Sequence, residues 1–339
     1  MDPVTVIGAG SWGTAIALLL ADKGFPVRLW VHGEHNFKEL RDNRENLTYL
    51  PGFPLPDNLQ VTTDLEEAVR DVKLIFSVVP SHAVRSVMTE AGKYIASDAV
   101  VVSASKGIEN ESLLMMDGVL REVLPRTLHS QLAFLSGPSF AKEVAAKMAT
   151  VVVVASHDER VAEHVQSALY TPYFRTYRNV DVVGTEIGGA LKNVIAIATG
   201  GIDGYGLGHN ARAATITRGL AEITRLGIGL GANPLTFQGL AGMGDLILTC
   251  TGGLSRNRTV GMEIGKGRTL TEILGSMKMV AEGVKTSKSA HDLGRKANIE
   301  LPIVDQVYDV LYHDKVMSDA IANLMGRSLK AELPGVSTS

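Results

Sequence analysis

Cysteine is almost missing from this chain, with Cys250 alone among 339 residues. No internal disulfide, cysteine-pair redox chemistry or cysteine-built zinc site is therefore available, and a reducing, cytoplasmic setting is expected. An excess of charge is missing too. The 33 Lys and Arg against 36 Asp and Glu give a net charge of −3, which offers nucleic acid or an anionic membrane no general attraction. Any anionic ligand must then be captured by a local cationic site. Long apolar runs are absent: stretches such as Val100–Val102 and Val151–Ala155 fall far short of the ~20 residues of a membrane helix, and no basic-then-apolar leader opens the sequence. Neither nucleic acid nor a membrane span is expected. The 9 histidines are scattered; His32 and His35 have the spacing of two ligands on a helix turn but no third ligand nearby, so no metal is expected.

What is present is enough apolar content, 45% of the residues, for substantial cores, and a length that at ~150 residues per domain suggests two domains. The first half alternates short β-branched runs with helical patterns: Val4–Ile7, a helix over Trp12–Lys23, Val27–Val31, Leu74–Val79 and Val100–Ala104. Leu132–Leu135 and Val151–Ala155 extend the series, and Phe174–Tyr177 closes it. Alternation of this kind predicts a parallel sheet with helices on both faces, and near-continuous apolar strands suit burial on both sides. After about Asp181 strand-like runs give way to long helix-compatible stretches. The predicted fold is an α/β N-terminal Rossmann-like doubly wound sheet over residues 1–182, an all-α C-terminal domain over 183–333, and a loose Ser/Thr-rich tail over 334–339.

The opening segment carries a G-x-G-x-x-G between a strand and an apolar helix. Gly8 permits the tight turn, Gly10 lets a pyrophosphate approach the backbone, and Gly13 lets helix pack closely on strand. The positive end of the helix then faces the phosphates. The second strand ends Leu29-Trp30-Val31-His32-Gly33, without the acidic residue that usually holds the ribose hydroxyls of NAD. His32 either contacts the adenosine ribose or its phosphate or is a surface loop histidine, and NADP stays open beside NAD.

Five segments carry candidate chemistry. Lys192 lies in Gly188-Gly189-Ala190-Leu191-Lys192-Asn193-Val194-Ile195-Ala196, where helical spacing surrounds it with small and apolar residues and no carboxylate. Such a lysine is either a desolvated proton carrier near neutral pH or a snorkelling side chain at a domain edge. Lys106 follows the strand Val100–Ala104 and so stands at the carboxyl edge where open α/β sheets bind ligands. Gly137-Pro138-Ser139 likewise follows a strand and begins a helix. Downstream, Gly242-Met243-Gly244-Asp245-Leu246 places an acid in an apolar glycine-rich setting, and Ser255-Arg256-Asn257-Arg258 makes a compact cationic loop suited to phosphate oxygens.

With these residues the chain resembles the bacterial NAD(P)-dependent glycerol-3-phosphate dehydrogenases over nearly its whole length. The likeness also runs through Val79-Pro80-Ser81-His82, Ser105-Lys106-Gly107 and Ser136-Gly137-Pro138-Ser139-Phe140-Ala141-Lys142-Glu143. Trp12 is a modest departure, since a different aromatic often stands there. The resemblance implies that Lys192 is the proton donor and acceptor, that Lys106 contacts substrate and cofactor, and that Asp245 orients Lys192. It implies that Gly137, Ser139, Asp245, Ser255, Arg256 and Asn257 contact substrate. It further implies that Ser11, Trp12, His32, Lys106, Ala141, Arg256, Val280 and Glu282 help hold the dinucleotide. The implied reaction interconverts dihydroxyacetone phosphate and sn-glycerol 3-phosphate by hydride transfer with NAD(P)H, supplying phospholipid synthesis, with NADPH accepted at least as well as NADH. A homodimer is compatible with it.

Two other readings share these features. A reductase of phosphorylated or branched hydroxy acids would use the Ser255–Arg258 loop and Lys106 as a carboxylate clamp. A non-catalytic dinucleotide sensor would use the fold to gate a partner, but such a protein has no use for a desolvated proton donor such as Lys192.

Overall fold

The structure, a computed structural model, describes residues 1–277, 281–329 and 331–332. Val280, expected at the dinucleotide, and the expected tail over 334–339 lie outside the described residues. Ten strands form in chain order: β1 (Val4–Ile7), β2 (Val27–Trp30), β3 (Glu45–Asn46), β4 (Leu50–Pro54), β5 (Leu59–Thr62), β6 (Leu74–Ser77), β7 (Val100–Ser103), β8 (Leu132–Ser136), β9 (Thr150–Ala155) and β10 (Phe174–Asn179). Eight make one sheet in the order β10-β9-β8-β7-β6-β1-β2-β5, and β3 and β4 form a separate pair. Both faces of the sheet are covered. Along β7, Val100 and Val102 enter one apolar core and Val101 the other, which is why these strands read as unbroken apolar runs.

Two features depart from the sequence expectation. The series was expected to extend as a parallel sheet, yet β9 pairs antiparallel with β8. The connection holds only a five-residue helix, Ala141–Ala145, which rises ~7.5 Å and is too short to carry the chain back to the start of the sheet as a parallel crossover requires. The second departure is β5 with the β3–β4 pair, for which no strand was expected. Two prolines in Leu50-Pro51-Gly52-Phe53-Pro54 make β4 read as a loop.

The helices in chain order are α1 (Ser11–Asp22), α2 (Glu34–Asn43), α3 (Leu65–Val69), α4 (Val84–Ala91), α5 (Met116–Val123), α6 (Ala141–Ala145) and α7 (Glu159–Leu169) beside the sheet. They are followed by α8 (Val182–Tyr205), α9 (Gly208–Gly229), α10 (Asp245–Thr251), α11 (Arg256–Gly265), α12 (Leu270–Ser276), α13 (Glu282–Lys296), α14 (Pro302–Tyr312) and α15 (Met317–Met325). The axis of this second half is α8. Its Ile187, Leu191, Val194 and Ile195 sit in a third core with Ile223 and Leu226 of α9, Leu246 of α10, Val260 of α11 and Val304 of α14. By length and composition α8 alone among the described helices could cross a membrane, but it is mostly buried inside the protein. Glycines let α8 and α11 meet backbone to backbone: a Cβ on Gly200 would stand 2.0 Å from Arg258 O, and one on Gly261 2.0 Å from Ile197 O.

The start of α14 is held from a distance. Glu222 on α9, only 4% exposed, accepts hydrogen bonds from the N–H groups of Ile303 (2.8 Å) and Val304 (3.3 Å). Burial pushes its carboxyl up to about 7, against the pull of those two donors. The folded protein therefore holds a proton that the unfolded chain, titrating at the ordinary 4.5, has already lost. Stability accordingly falls as pH rises through that window, by up to ~1.4 kcal/mol per pH unit. Glu222→Gln, which keeps an acceptor oxygen but cannot ionise, is expected to remove this slope. In urea denaturation the variant should gain on the parent protein between about pH 5 and pH 8; an equal difference at both would contradict the assignment.

Candidate active site

The order of strands reverses between β1 and β6, and ligands of such sheets bind at the carboxyl ends beside that point. The glycine turn after β1 lies there. Gly8 has φ +113° and a Cβ on it would stand 2.9 Å from Val78 O, while a Cβ on Gly13 would overlap Gly8 O at 1.8 Å. At Gly10, which precedes α1, a Cβ would meet nothing within 4 Å. No side chain caps α1 and no acidic residue stands in its first turn. Two glycines thus make the turn tight, and the third leaves one side of the backbone bare at a positive helix end. The residues fit the pyrophosphate of a dinucleotide. Asn46 braces the turn from β3, its Nδ2 donating to Ala9 O (2.9 Å) and Thr14 Oγ1 (2.8 Å).

The expected chemical residues converge beside this edge. Lys106 follows β7, Lys192 is in the middle of α8, and Asp245 opens α10. One carboxylate joins them: Asp245 Oδ2 accepts from Lys106 Nζ at 2.6 Å and Asp245 Oδ1 accepts from Lys192 Nζ. Lys106 Nζ also donates to Gly137 O (3.3 Å). A π turn over Leu240–Gly244 delivers Asp245 to this position, and a Cβ on Gly188 would lie 2.4 Å from Ala241 O, so α8 and the π turn touch through their backbones. The sequence left Lys192 without a carboxylate at the neighbouring positions of its helix; the fold supplies one from 53 residues away.

Electrostatics follow from burial. Lys192 is 7% exposed and Asp245 1%. Burial pushes the Lys192 amine down to about 8, helped by the charge of Lys106 and opposed by Asp245. For Asp245 burial works upward, but the two ammonium groups prevail and hold its carboxyl below the ordinary value. The result is a carboxylate that stays ionised beside an amine able to gain and lose a proton near neutral pH.

The remaining expected residues fall into two groups. Gly137, at φ +121°, and Ser139 lie beside Lys106, with Ser139 Oγ donating to Gly137 O (3.0 Å). The helix expected to begin at this motif instead starts at Ala141 and is short. In the helical half Ser255 caps α11 through Arg258 N (3.3 Å), Asn257 Oδ1 accepts from Gly283 N (2.9 Å), and Arg256 is exposed at the first position of α11. Arg258 is committed elsewhere, to Asp203 at 2.6 Å. Glu282 opens α13; burial pushes its carboxyl up while the charge of Arg256 opposes the rise. Ser11 Oγ donates to Tyr49 O (2.6 Å), Trp12 is packed partly against the sheet core, and His32 is exposed beyond β2 with its ring 5.8 Å from that of Trp30.

Sequence reasoning passed over Thr249, whose Oγ1 accepts from Lys192 Nζ (3.0 Å) and donates to Asp245 O (2.7 Å). Its signal was the i, i+4 spacing from Asp245. Asn46 left no signal, because its partners belong to a turn more than thirty residues earlier.

Residues 3–162 match the family described as NAD-dependent glycerol-3-phosphate dehydrogenase N-terminus, and residues 181–322 its C-terminus. A glycerol-3-phosphate dehydrogenase [NAD(P)+] of Citrifermentans bemidjiense is 56% identical over 98% of this chain and 99% of its own length, and that of Myxococcus xanthus is 54% identical over 98% and 99%. The crystal structure of glycerol-3-phosphate dehydrogenase from Coxiella burnetii superposes with a TM-score of 0.92 at 38% identity, covering 96% of this chain and 99% of that one. A ketopantoate reductase from Ralstonia eutropha, at 14% identity and a TM-score of 0.59, shares the fold alone. Turn, lysine pair and full-length likeness together place the chain in the NAD-dependent glycerol-3-phosphate dehydrogenase family.

Proposed function

We propose that this protein interconverts dihydroxyacetone phosphate and sn-glycerol 3-phosphate with NADH or NADPH. The observation that carries the reading is the buried Lys106–Asp245–Lys192 group at the carboxyl edge of the sheet, next to the glycine turn. Residues 1–182 would hold the dinucleotide and residues 183–333 the substrate, in a cytoplasmic enzyme, with a homodimer as its assembly. Gly8, Gly10, Ser11, Trp12, Gly13, His32, Ala141 and Glu282 are the described residues assigned to the dinucleotide, together with Lys106 and Arg256.

A dinucleotide held at the glycine turn would supply or accept the hydride at C2 of the substrate. As the ketone is reduced its oxygen gains negative charge, and Lys192 delivers a proton to that oxygen from Nζ. Lys106 stabilises the same oxygen electrostatically. Asp245 and Thr249 fix the direction of the Lys192 amine, and the burial that lowers its proton affinity makes it a stronger acid. Arg256, with Ser255 and Asn257, holds the phosphate, with Gly137 and Ser139 lining the opposite wall. A carboxylate clamp for hydroxy acids is disfavoured by the family assignment, and a sensor by the buried proton carrier.

Lys192→Ala should leave dinucleotide binding nearly intact and lower kcat by roughly 100-fold or more, the scale of a lost general acid. In the native protein, reduction needs protonated Lys192, so its rate should fall as pH rises through about 8. Oxidation needs the neutral amine and should rise over the same range. Stopped-flow and steady-state rates in both directions check this, and a flat profile would contradict it.

Arg256→Ala should cut kcat/KM for dihydroxyacetone phosphate by about 10- to 200-fold, the worth of a charge-assisted hydrogen bond. Unphosphorylated dihydroxyacetone should lose far less. Equal losses for both substrates would move Arg256 out of the phosphate site.

No carboxylate ends β2 to repel a 2′-phosphate, so kcat/KM for NADPH should at least equal that for NADH. A preference for NADH above about tenfold, ~1.4 kcal/mol, would overturn this.

A further inference from the structure

Beside Lys106 a small, partly open cavity lies between β7, β8 and α8. It has room for about 10 Å³ of water centres, roughly what one water needs. Ser103, Ser136 and Thr185 line it. They are 1%, 6% and 0% exposed, and the hydroxyl of each has no hydrogen-bond partner among the described residues. A buried polar group left unpaired costs about 1–3 kcal/mol, so three hydroxyls on one cavity mark a place built for a polar guest. A water, with up to four hydrogen bonds, is the guest that fits. Lys106 and Glu186 also line the cavity. Lys106 Nζ uses two of its three donors, on Gly137 O and Asp245. Gly189 completes the wall: a Cβ there would stand 2.8 Å from Ser136 Oγ and 3.6 Å from the Lys106 stem.

Resting on the enzymatic reading above, we propose that Glu186 is the proton-supplying residue of this site, connected to Lys106 through one water held by Ser103, Ser136 and Thr185. The need arises from burial. Lys192 is 7% exposed, so with substrate in the cleft it has no direct route to solvent for the proton each reduction consumes. Glu186 is half-buried and its carboxylate oxygens accept from Asp117 N at the start of α5 (3.1 and 3.4 Å). Burial pushes its carboxyl well above the ordinary value. The charge of Asp117 adds to the rise, while the Asp117 and Met116 N–H groups and Arg121 oppose it. Behind it, Asp117 pairs with Arg121 (2.8 Å) and stands 3.6 Å from His157.

The relay moves only protons. After Lys192 has protonated the alkoxide, an N–H bond of Lys106 breaks as one forms on Lys192 Nζ across their shared carboxylate. Lys106 regains a proton from the cavity water, the water takes one from the Glu186 carboxyl, and the resulting carboxylate takes one from solvent. One solvent proton is consumed per ketone reduced, and in oxidation the same steps run backward.

Two variants and one spectrum test this. Glu186→Gln keeps an acceptor for Asp117 N–H but carries no acidic proton; Ser136→Ala with Thr185→Val removes water-holding hydroxyls and leaves Glu186 in place. Both are expected to keep the KM values and the melting temperature, and to lower kcat for reduction at least about threefold. The loss should grow from about pH 6 to 9, and the solvent deuterium isotope effect should rise. Infrared spectra of the resting protein should contain a protonated-carboxyl band that Glu186→Gln removes. Unchanged kcat and isotope effect in both variants would overturn the relay. So would a pH-independent loss that tracks melting temperature, since that is the mark of a packing role. If Glu186→Gln does not fold, the double variant decides alone. Failure of the parent protein to reduce dihydroxyacetone phosphate would sink the enzymatic reading, not the infrared assignment of Glu186.

Discussion

A single buried carboxylate, Asp245, lies between two lysines that reach it from different parts of the chain: Lys106 from 139 residues earlier and Lys192 from 53. Taking three charges out of water is unfavourable unless each finds partners, and the surroundings are arranged to provide them. Thr249 and Gly137 O supply further oxygens. Because the carboxylate is bonded to both lysines, the end of β7, the middle of α8 and the start of α10 are pinned to one point. The sheet and the helical half therefore meet at this group, and loss of Asp245 would leave two ammonium groups facing each other in the interior without their shared counter-charge.

The same burial sets the acid–base character of the site. Desolvation alone would push the carboxylate toward its neutral form and the amines toward theirs. With two positive neighbours Asp245 stays charged, and the Lys192 amine absorbs the imbalance and settles at about 8. The dinucleotide turn is organised by sterics instead. Gly8 and Gly13 are required by contact distances, and Gly10 leaves the backbone bare on one side. The lysine–carboxylate group and the glycine turn lie at one sheet edge because parallel strands deliver their carboxyl ends to the same side.

Much of this was legible in order along the chain. The glycine spacing, the β-branched runs of β1, β6 and β7, and the small-residue setting of Lys192 each carry local physics that survives in isolation. The antiparallel return of β9 was not legible, since it turns on the length of α6. Nor was β4, where prolines suit an edge pair but read as loop. Arg258 was grouped with Arg256 by sequence adjacency, whereas helix geometry sends it to Asp203.

By itself, the sequence determined most strands of the large sheet and the change to helices after it, where a glycine turn would leave the backbone bare, and which lysines lacked neighbouring charge. These are consequences of side-chain volume, branching and spacing within a few residues. Only the tertiary structure decided that Asp245 and Thr249 meet Lys192, that Asn46 braces the glycine turn, and that three hydroxyls, Glu186 and Lys106 line one cavity. Each of those contacts joins residues tens of positions apart, and the energy of a buried charge or hydroxyl depends on partners that no local pattern specifies.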